Sequence, residues 1–358
     1  MRIAIIGCGG IGGVLAATLT RAGADVTPVV GNPAIAEALG AHGYRVRELD
    51  GSETTVPLGR APLLHASEAD APFDLAFVAT QSTTLEAALA DARGKLADGA
   101  TVVTCQNGLP EDRARAIVGE RVVGCVVGWG ASMVAPGHYK RTSKGVLTFG
   151  RPTTESPDPH AVAALAEASS PSIVVDDLAG VRWSKLAINC VTTTLGAIGG
   201  VPLGKLLSHR PIRRIALEVF AEVAAVASAA GVRIQPVGGT LDIDKIAISE
   251  AERGLSFGSP SLAYKHSVLL AVGFKYRRLR SSMLYALERG RPPEIDFLNG
   301  ELVRRGAALG VSTPVNAALV EAVRAIEARR ASSSLLALRA LHDRVIAKRS
   351  AGPVRNAA

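Results

Sequence analysis

Six residues near the N-terminus constrain this chain more than any others. Gly7-Cys8-Gly9-Gly10-Ile11-Gly12 lies between an apolar run, Arg2 to Ile6, and a stretch in which Ile11, Val14, Leu15 and Leu19 recur at helical spacing. A Gly-x-Gly-x-x-Gly pattern arises by chance in a chain with 37 glycines. Placed between a strand and a helix, it describes a turn whose backbone N–H groups and helix dipole hold a pyrophosphate. Gly7, Cys8, Gly9, Gly10, Ile11 and Gly12 are the expected contacts, and the absence of a following Gly-Lys-Ser/Thr excludes an ATP-type P-loop.

The rest of the N-terminal half fits that reading. Strand-like runs at 25–30, 75–79, 101–104 and 122–128 alternate with helical stretches at 33–42, 83–96 and 111–118, the pattern of a parallel sheet covered on both faces. Tyr44 to Leu49 and Glu53 to Leu58, joined by Asp50-Gly51, read as a hairpin decorating the edge of that sheet. Pro136 to Gly150 reads as a second hairpin, and a helix and the strand 172–175 complete this half. After Asp176 the strand signals stop and long helical periodicities follow at 181–197, 211–230 and 314–330. Because 358 residues exceed what one core usually serves, two domains are expected. The fold class is α/β: a Rossmann-type doubly wound sheet over 1–178, a mostly α-helical substrate domain over 179–345, and a frayed basic tail over 346–358.

Composition excludes several other classes. With 48% hydrophobic and 20% charged residues the chain is globular and able to build a large core. The net charge of +8 comes from basic residues dispersed among acidic ones, which suits an anionic small molecule better than nucleic acid. Glycine density after Ile6 argues against a signal helix, and no stretch reaches the roughly 20 apolar residues of a bilayer span. A cytoplasmic protein with no membrane partner is expected. Cys8, Cys105, Cys125 and Cys190 lie far apart in apolar or glycine-rich runs, which reads as reduced thiols and no metal site.

Candidate chemistry concentrates in the helical half. Lys185 and Asn189 in Trp183-Ser184-Lys185-Leu186-Ala187-Ile188-Asn189 are four apart, so both point from one helix face. Apolar neighbours would desolvate the lysine, lower its pKa and let it donate a proton near neutrality; a lysine snorkelling from a buried helix fits the local sequence equally well. Ser281-Ser282 and Glu294 at a helix start are candidates for polar contacts, though Glu294 also has the plain reading of dipole complementation. In the first half, the second strand ends in Val29-Val30-Gly31-Asn32, with neither the acid of an NAD site nor the arginine of an NADP site. Asn32 could bond a ribose hydroxyl or a phosphate oxygen, and the basic balance tilts the expectation toward NADP (as NADPH) over NAD.

Taken in order, these segments resemble the ketopantoate reductase (2-dehydropantoate 2-reductase) family from Met1 to about Arg330. The resemblance rests on the glycine loop, Gln106-Asn107-Gly108 after a strand, Trp-x-Lys-Leu-x-x-Asn, Ser-Ser-Met-Leu, Glu-Ile-Asp-x-Leu-Asn-Gly from Glu294 to Gly300, and Thr313-Pro314-Val315-Asn316. It implies that Lys185 is the general acid, that Asn189 and Ser282 hold the substrate, and that Asn107 and Glu294 sit by cofactor and substrate. The reaction implied is hydride transfer to the 2-oxo carbon of ketopantoate, in pantothenate and coenzyme A synthesis. This sequence departs from the family pattern where a lysine often follows the strand-like run 75–79, here Gln81, and where Asn-Pro-Leu often follows the catalytic helix motif, here Thr193-Thr194-Leu195. The first change touches the cofactor phosphate and the second the substrate pocket, so another 2-oxo acid or an imine is the alternative substrate. A dinucleotide-binding protein without turnover is a third reading. A homodimer is expected, with 298–309 and 319–326 as its apolar surface.

Overall fold

The protein is described by a computed structural model covering residues 1–236, 241–253 and 259–347. Most of the expected tail, from 348 onward, and parts of the long segment 236–274 therefore lie outside the described residues. The chain divides into two compact units, Met1–Leu178 and Ala179–Ala358.

The first unit opens with β1 (Arg2–Ile6), α1 (Gly10–Arg21), β2 (Asp25–Val29), α2 (Pro33–His42), β3 (Tyr44–Arg47) and β4 (Glu53–Val56). It continues with β5 (Phe73–Val78), α3 (Leu85–Ala92), β6 (Leu96–Thr104), α4 (Glu111–Val118) and β7 (Val122–Val127). Last come β8 (Ala131–Ala135), β9 (His138–Arg141), β10 (Leu147–Gly150), α5 (His160–Ala166) and β11 (Ser172–Val174). Seven strands form the main sheet in the order β11-β10-β7-β6-β5-β1-β2. Five of its pairings are parallel and β10 runs antiparallel to β7.

Both faces of this sheet are buried, and the two-residue period of the strands sorts the side chains between them. Ile3, Ile5, Leu75, Phe77, Val103 and Val123 share one core with α1 residues such as Val14 and Leu15. Ala4, Ile6, Ala76, Val78, Val102 and Val122 share the other with Leu85 and Leu89 of α3 and Ala114 of α4. Burial on both sides explains why these strands read as continuous apolar runs instead of alternating ones.

Two expectations fail here for one reason. The 44–58 hairpin exists, with Tyr44 opposite Val56, but it does not decorate the main sheet. It joins β9 in parallel, and β9 pairs in turn with β8, giving a second sheet of order β4-β3-β9-β8. Pro136 to Gly150 is accordingly no hairpin, because β9 belongs to the second sheet and β10 to the main one. The parallel pairing Val46 to Tyr139 spans more than ninety positions, and no local pattern encodes it. A smaller difference lies at Leu96, which begins β6, the preceding helical stretch having split into 3-10 turns around α3.

The second unit is helical throughout its described residues. It contains α6 (Leu178–Gly199), α7 (Leu203–Ser208), α8 (Arg210–Ala229), α9 (Ile243–Ile246) and α10 (Glu250–Arg253). These are followed by α11 (Pro260–Lys275), α12 (Ser282–Glu288), α13 (Asn299–Ala308), α14 (Pro314–Glu327) and α15 (Leu335–His342). Proline in the first turn sets the start of α8, α11 and α14, where a missing N–H costs no helix bond. Helix α8 is the hub and touches α7, α9, α11, α13, α14 and α15. In the long segment, Ile243, Ile246 and Ile248 are buried, and a buried Lys265–Glu252 ion pair of 2.6 Å ties α11 to α10.

The apolar residues assigned to a dimer surface are spent inside this unit. Leu298, Leu302, Leu319 and Val323 are fully buried within the single chain, and Leu309 alone among the leucines of 298–309 is exposed. Amphipathic periodicity reports that a face is covered, and here the unit's own helices cover it.

Candidate functional site

In the first unit, a surface is made by leaving side chains out. Gly7 has φ +94°, and its amide bonds to the Val29 carbonyl at 2.8 Å, so the chain turns off β1 in a conformation that disfavours any side chain. A Cβ on Gly12 would lie 2.0 Å from the Gly7 carbonyl oxygen, which makes glycine the condition for α1 to approach β1. The run holds more glycine than a pyrophosphate turn requires because the second sheet packs on α1. A Cβ on Gly10 would meet the Ala131 carbonyl oxygen at 2.4 Å, and one on Gly13 would meet the Tyr139 ring at 2.1 Å. Tyr139 donates its hydroxyl to the Cys8 carbonyl at 3.2 Å and so braces the loop from that side. The Cys8 side chain is buried, which leaves only its backbone for a ligand.

Gly9 differs from these neighbours. It is the N-cap of α1, and a Cβ there would find no atom within 4 Å. No side chain caps this helix and no acidic residue stands in its first turn, so the positive end of a twelve-residue helix carries unneutralised N–H groups beside open space. Those features fit the pyrophosphate of a dinucleotide.

The loops after β2, β5 and β6 hold the other first-unit candidates. Asn32 caps α2, its Oδ1 accepting from the Ala34 amide at 3.0 Å, which leaves the amide hydrogens for an external acceptor. Gln81 is exposed after β5 and precedes a 3-10 turn, Ser82–Thr84. Gln106 is buried and donates to the Val78 carbonyl at 3.0 Å and the Thr80 hydroxyl at 3.3 Å, locking the loop after β6 to the end of β5. Asn107, next in sequence, accepts from the Ser82 hydroxyl through its backbone carbonyl at 3.2 Å, followed by Gly108 at φ +83°. Gln106 thus has a positioning part that its place in the motif did not reveal.

In the second unit, α6 carries Lys185, Asn189 and Thr193 at four-residue steps along one face. Lys185 is part-buried and Asn189 and Thr193 are buried. Desolvation lowers the Lys185 pKa below the ordinary lysine value, and the Arg182 guanidinium, three residues earlier, pushes it the same way. Among the described residues no carboxylate pairs with the Lys185 ammonium.

The serine pair resolves into different parts. Ser281, buried, caps α12 by accepting from the Leu284 amide at 3.0 Å and donates its hydroxyl to the Thr193 carbonyl at 2.6 Å. A Cβ on Gly196 would lie 2.5 Å from the Ser281 Cβ, so glycine at 196 permits this approach. Ser282, the residue named from the motif, is the exposed first residue of α12. Glu294 opens a 3-10 turn, Glu294–Phe297, and is part-buried.

Sequence reasoning missed a buried chain of polar residues. The Thr194 hydroxyl donates to Asn299 Oδ1 at 2.5 Å, Asn299 Nδ2 to Asn316 Oδ1 at 2.8 Å and to the Cys190 carbonyl at 3.2 Å, and Asn316 Nδ2 to Glu222 Oε2 at 2.7 Å. Glu222 also accepts the backbone amides of Val315 and Asn316, each at 2.9 Å, at the start of α14. Glu222 is 3% exposed and the other three residues 0%, so water cannot supply their bonds. Two glutamates, Glu218 and Glu222, in the otherwise apolar run Leu217 to Ala225 were the available signal.

A glycine turn fitted to a pyrophosphate and a helix bearing a depressed lysine define a nicotinamide-dinucleotide-dependent oxidoreductase. Comparison narrows the class. Residues 3–153 match the family described as ketopantoate reductase PanE/ApbA and residues 177–327 match its C-terminal domain, so the chain belongs to the ketopantoate reductase family. It is 29% identical over 354 residues to a 2-dehydropantoate 2-reductase of Mesorhizobium japonicum, covering 92% of this chain and 99% of the relative. It is 27% identical over 328 residues to that of Archaeoglobus fulgidus, covering 91% and 98%. A PanE/ApbA family ketopantoate reductase from Ralstonia eutropha superposes with TM-score 0.77 at 29% identity, covering 92% of this chain and 99% of that one. D-mandelate dehydrogenase with NADH and anilino(oxo)acetate gives TM-score 0.76 at 22% identity over the same shares, a likeness of fold alone.

Proposed function

We propose that this chain reduces 2-dehydropantoate (ketopantoate) to pantoate with NADPH in the cytoplasm. The observation that carries the reading is Lys185: a part-buried ammonium of lowered pKa, without a carboxylate partner among the described residues, on the same helix face as Asn189 and Thr193. The backbone from Gly7 to Gly12 would hold the pyrophosphate, with Asn32, Gln81, Asn107 and Glu294 as further contacts. The dinucleotide, when bound, supplies the hydride that adds to the 2-oxo carbon. Lys185 hydrogen-bonds the carbonyl oxygen, gives its proton to the alkoxide as charge develops there, and is reprotonated from solvent. Asn189, Thr193 and Ser282 orient the substrate. For the nucleotide, Asn32 supports NADP: its oxygen caps α2, and its N–H donors suit a phosphate oxygen.

The test is dinucleotide oxidation followed by absorbance, with NADPH and NADH in parallel and ketopantoate as acceptor, comparing wild type with Lys185→Ala. Turnover by the wild type and a loss of about 10²- to 10⁴-fold in kcat/KM without Lys185 support the reading. Folded wild type that binds dinucleotide and leaves ketopantoate untouched overturns the substrate. One observation favours a second reading, a different 2-oxo acid or an imine. Thr193, shorter than asparagine and without an amide, stands in the catalytic helix four residues beyond Asn189. A panel of branched and aromatic 2-oxo acids and cyclic imines separates the two.

A further inference from the structure

The buried chain from Thr194 to Glu222 has a direction, and its chemistry imposes that direction. Glu222 takes three N–H donors on its two oxygens, which requires an acceptor. Asn316 must therefore turn its Nδ2 toward Glu222 and its Oδ1 toward Asn299. Asn299 must then present Nδ2 to Asn316, and the same Nδ2 reaches the Cys190 carbonyl, itself an obligate acceptor. Asn299 Oδ1 is left facing α6, where it accepts from the Thr194 hydroxyl. Each amide has one satisfiable orientation, set from the carboxylate inward.

The α6 end of this chain lies beside the proposed chemistry in sequence. Cys190 follows Asn189, and Thr194 follows Thr193. In an unbroken α-helix the Cys190 carbonyl already accepts the Thr194 amide four residues ahead, so Asn299 grips the same helical turn twice, at the carbonyl of 190 and at the hydroxyl of 194. On the other side of α6, Ser281 holds the carbonyl of Thr193. The turn carrying Asn189 and Thr193 is thus held at three points, the Cys190 carbonyl, the Thr194 hydroxyl and the Thr193 carbonyl.

We infer that Thr194 and Asn299 are positioning residues for the reaction, and that the hydroxyl of Thr194, anchored through Asn299 and Asn316 to Glu222, sets the rotation of the α6 turn that presents Asn189 and Thr193. This rests on the function proposed above. None of the four anchoring groups touches the reacting atoms. A proline at 194, the residue often found at this place in the family, would have no hydroxyl for Asn299 Oδ1, so that half of the grip belongs to the threonine of this chain.

The test compares Thr194→Val, which removes the hydroxyl at constant shape, with Thr194→Ser, which retains it. Steady-state kinetics with ketopantoate, or whichever 2-oxo acid the wild type reduces, is combined with dinucleotide binding and amide hydrogen exchange across 189–195. The expected result is a loss of about ten-fold in kcat/KM for the oxo acid in Thr194→Val, the size of one buried hydrogen bond. Dinucleotide affinity should stay unchanged, exchange in 189–195 should be faster, and Thr194→Ser should lie within about two-fold of wild type. Equal catalytic constants in Thr194→Val and wild type overturn the proposal even if the variant melts lower, as does equal impairment of both variants. If the wild type reduces no 2-oxo acid, the proposed function fails, and the exchange contrast between valine and serine still decides the anchoring: unchanged exchange in Thr194→Val overturns it.

Discussion

The glycine loop of the first unit and the α6 turn of the second solve the same problem, presenting polar groups to a ligand, by opposite means. The loop uses backbone alone. Side chains are absent at Gly7, Gly10, Gly12 and Gly13 because something occupies their place or the φ forbids them, and at Gly9 nothing stands in the way at all. The α6 turn uses side chains, and the turn that carries them is held by other side chains at the Cys190 carbonyl, the Thr193 carbonyl and the Thr194 hydroxyl. A site of omissions is written in the seven positions from Gly7 to Gly13. A site of side chains depends on residues such as Ser281, Asn299, Asn316 and Glu222, of which Asn299 alone is 105 positions from Thr194 in the chain.

The largest expected effect breaks the second site outright. Lys185→Ala should retain dinucleotide binding and lose reduction by the 10²- to 10⁴-fold already stated, about 3 to 5 kcal/mol of barrier. Sharper evidence comes from pH. A general acid must be protonated, so wild-type reduction should fall as pH rises through the Lys185 pKa, at a pH below the ordinary lysine range because burial and Arg182 lower it. An alkaline limb at the free-lysine value would show that the lysine is solvated during turnover and would remove the argument built on it.

Next comes a contrast within the glycine run. Gly12→Ala sets a methyl against the Gly7 carbonyl, 2.0 Å from where it would sit, and should destabilise the first unit by several kcal/mol, as overpacking and backbone displacement do. Gly9→Ala should fold with a melting temperature near wild type and bind dinucleotide about ten-fold or more weakly, since its Cβ meets only the space reserved for ligand. Binding by titration and thermal melting of the two variants side by side would separate a packing glycine from a ligand glycine. Equal melting temperatures would erase the distinction.

A smaller effect is expected from Asn316→Leu, which takes one side-chain donor from Glu222 and strands the Asn299 amide. Removing one partner of a buried polar group costs about 1 to 3 kcal/mol, measurable by denaturant unfolding. A neutral result would mean that water or a shifted side chain replaces the amide. Smallest of all, Asn32→Ala removes the α2 cap at a cost of about 1 kcal/mol in stability. If Asn32 also serves the nucleotide phosphate, the variant's affinity for NADPH should fall while that for NADH stays put; parallel loss of both would confine the residue to capping.

Legibility followed the range of the interaction. The strand-turn-helix at 2–21, helix 33–42 and helix 111–118 rest on contacts a few residues apart, and their bounds could be read directly. The pairing of β3 with β9 could not be, because strand partners ninety residues apart share no local signal, and the same blindness turned 136–150 into a hairpin. In the candidate site, Lys185 and Asn189 were visible as a four-residue step on one helix. Ser282 was taken from its motif, whereas the buried contact to α6 is made by its neighbour Ser281, a distinction that depends on which serine caps α12.

By itself the sequence determined the turn after β1, the helical face bearing Lys185, and the family, because φ, helical period and motif order are properties of the chain read a few residues at a time. Tertiary structure decided why the run carries the additional glycines Gly10 and Gly13, which sheet the 44–56 hairpin joins, and which way every amide in the Thr194–Asn299–Asn316–Glu222 chain must point. Those follow from close approach and burial: where water is excluded, each buried donor and acceptor must find its partner within the chain, and Glu222, 3% exposed, accepts the last amide.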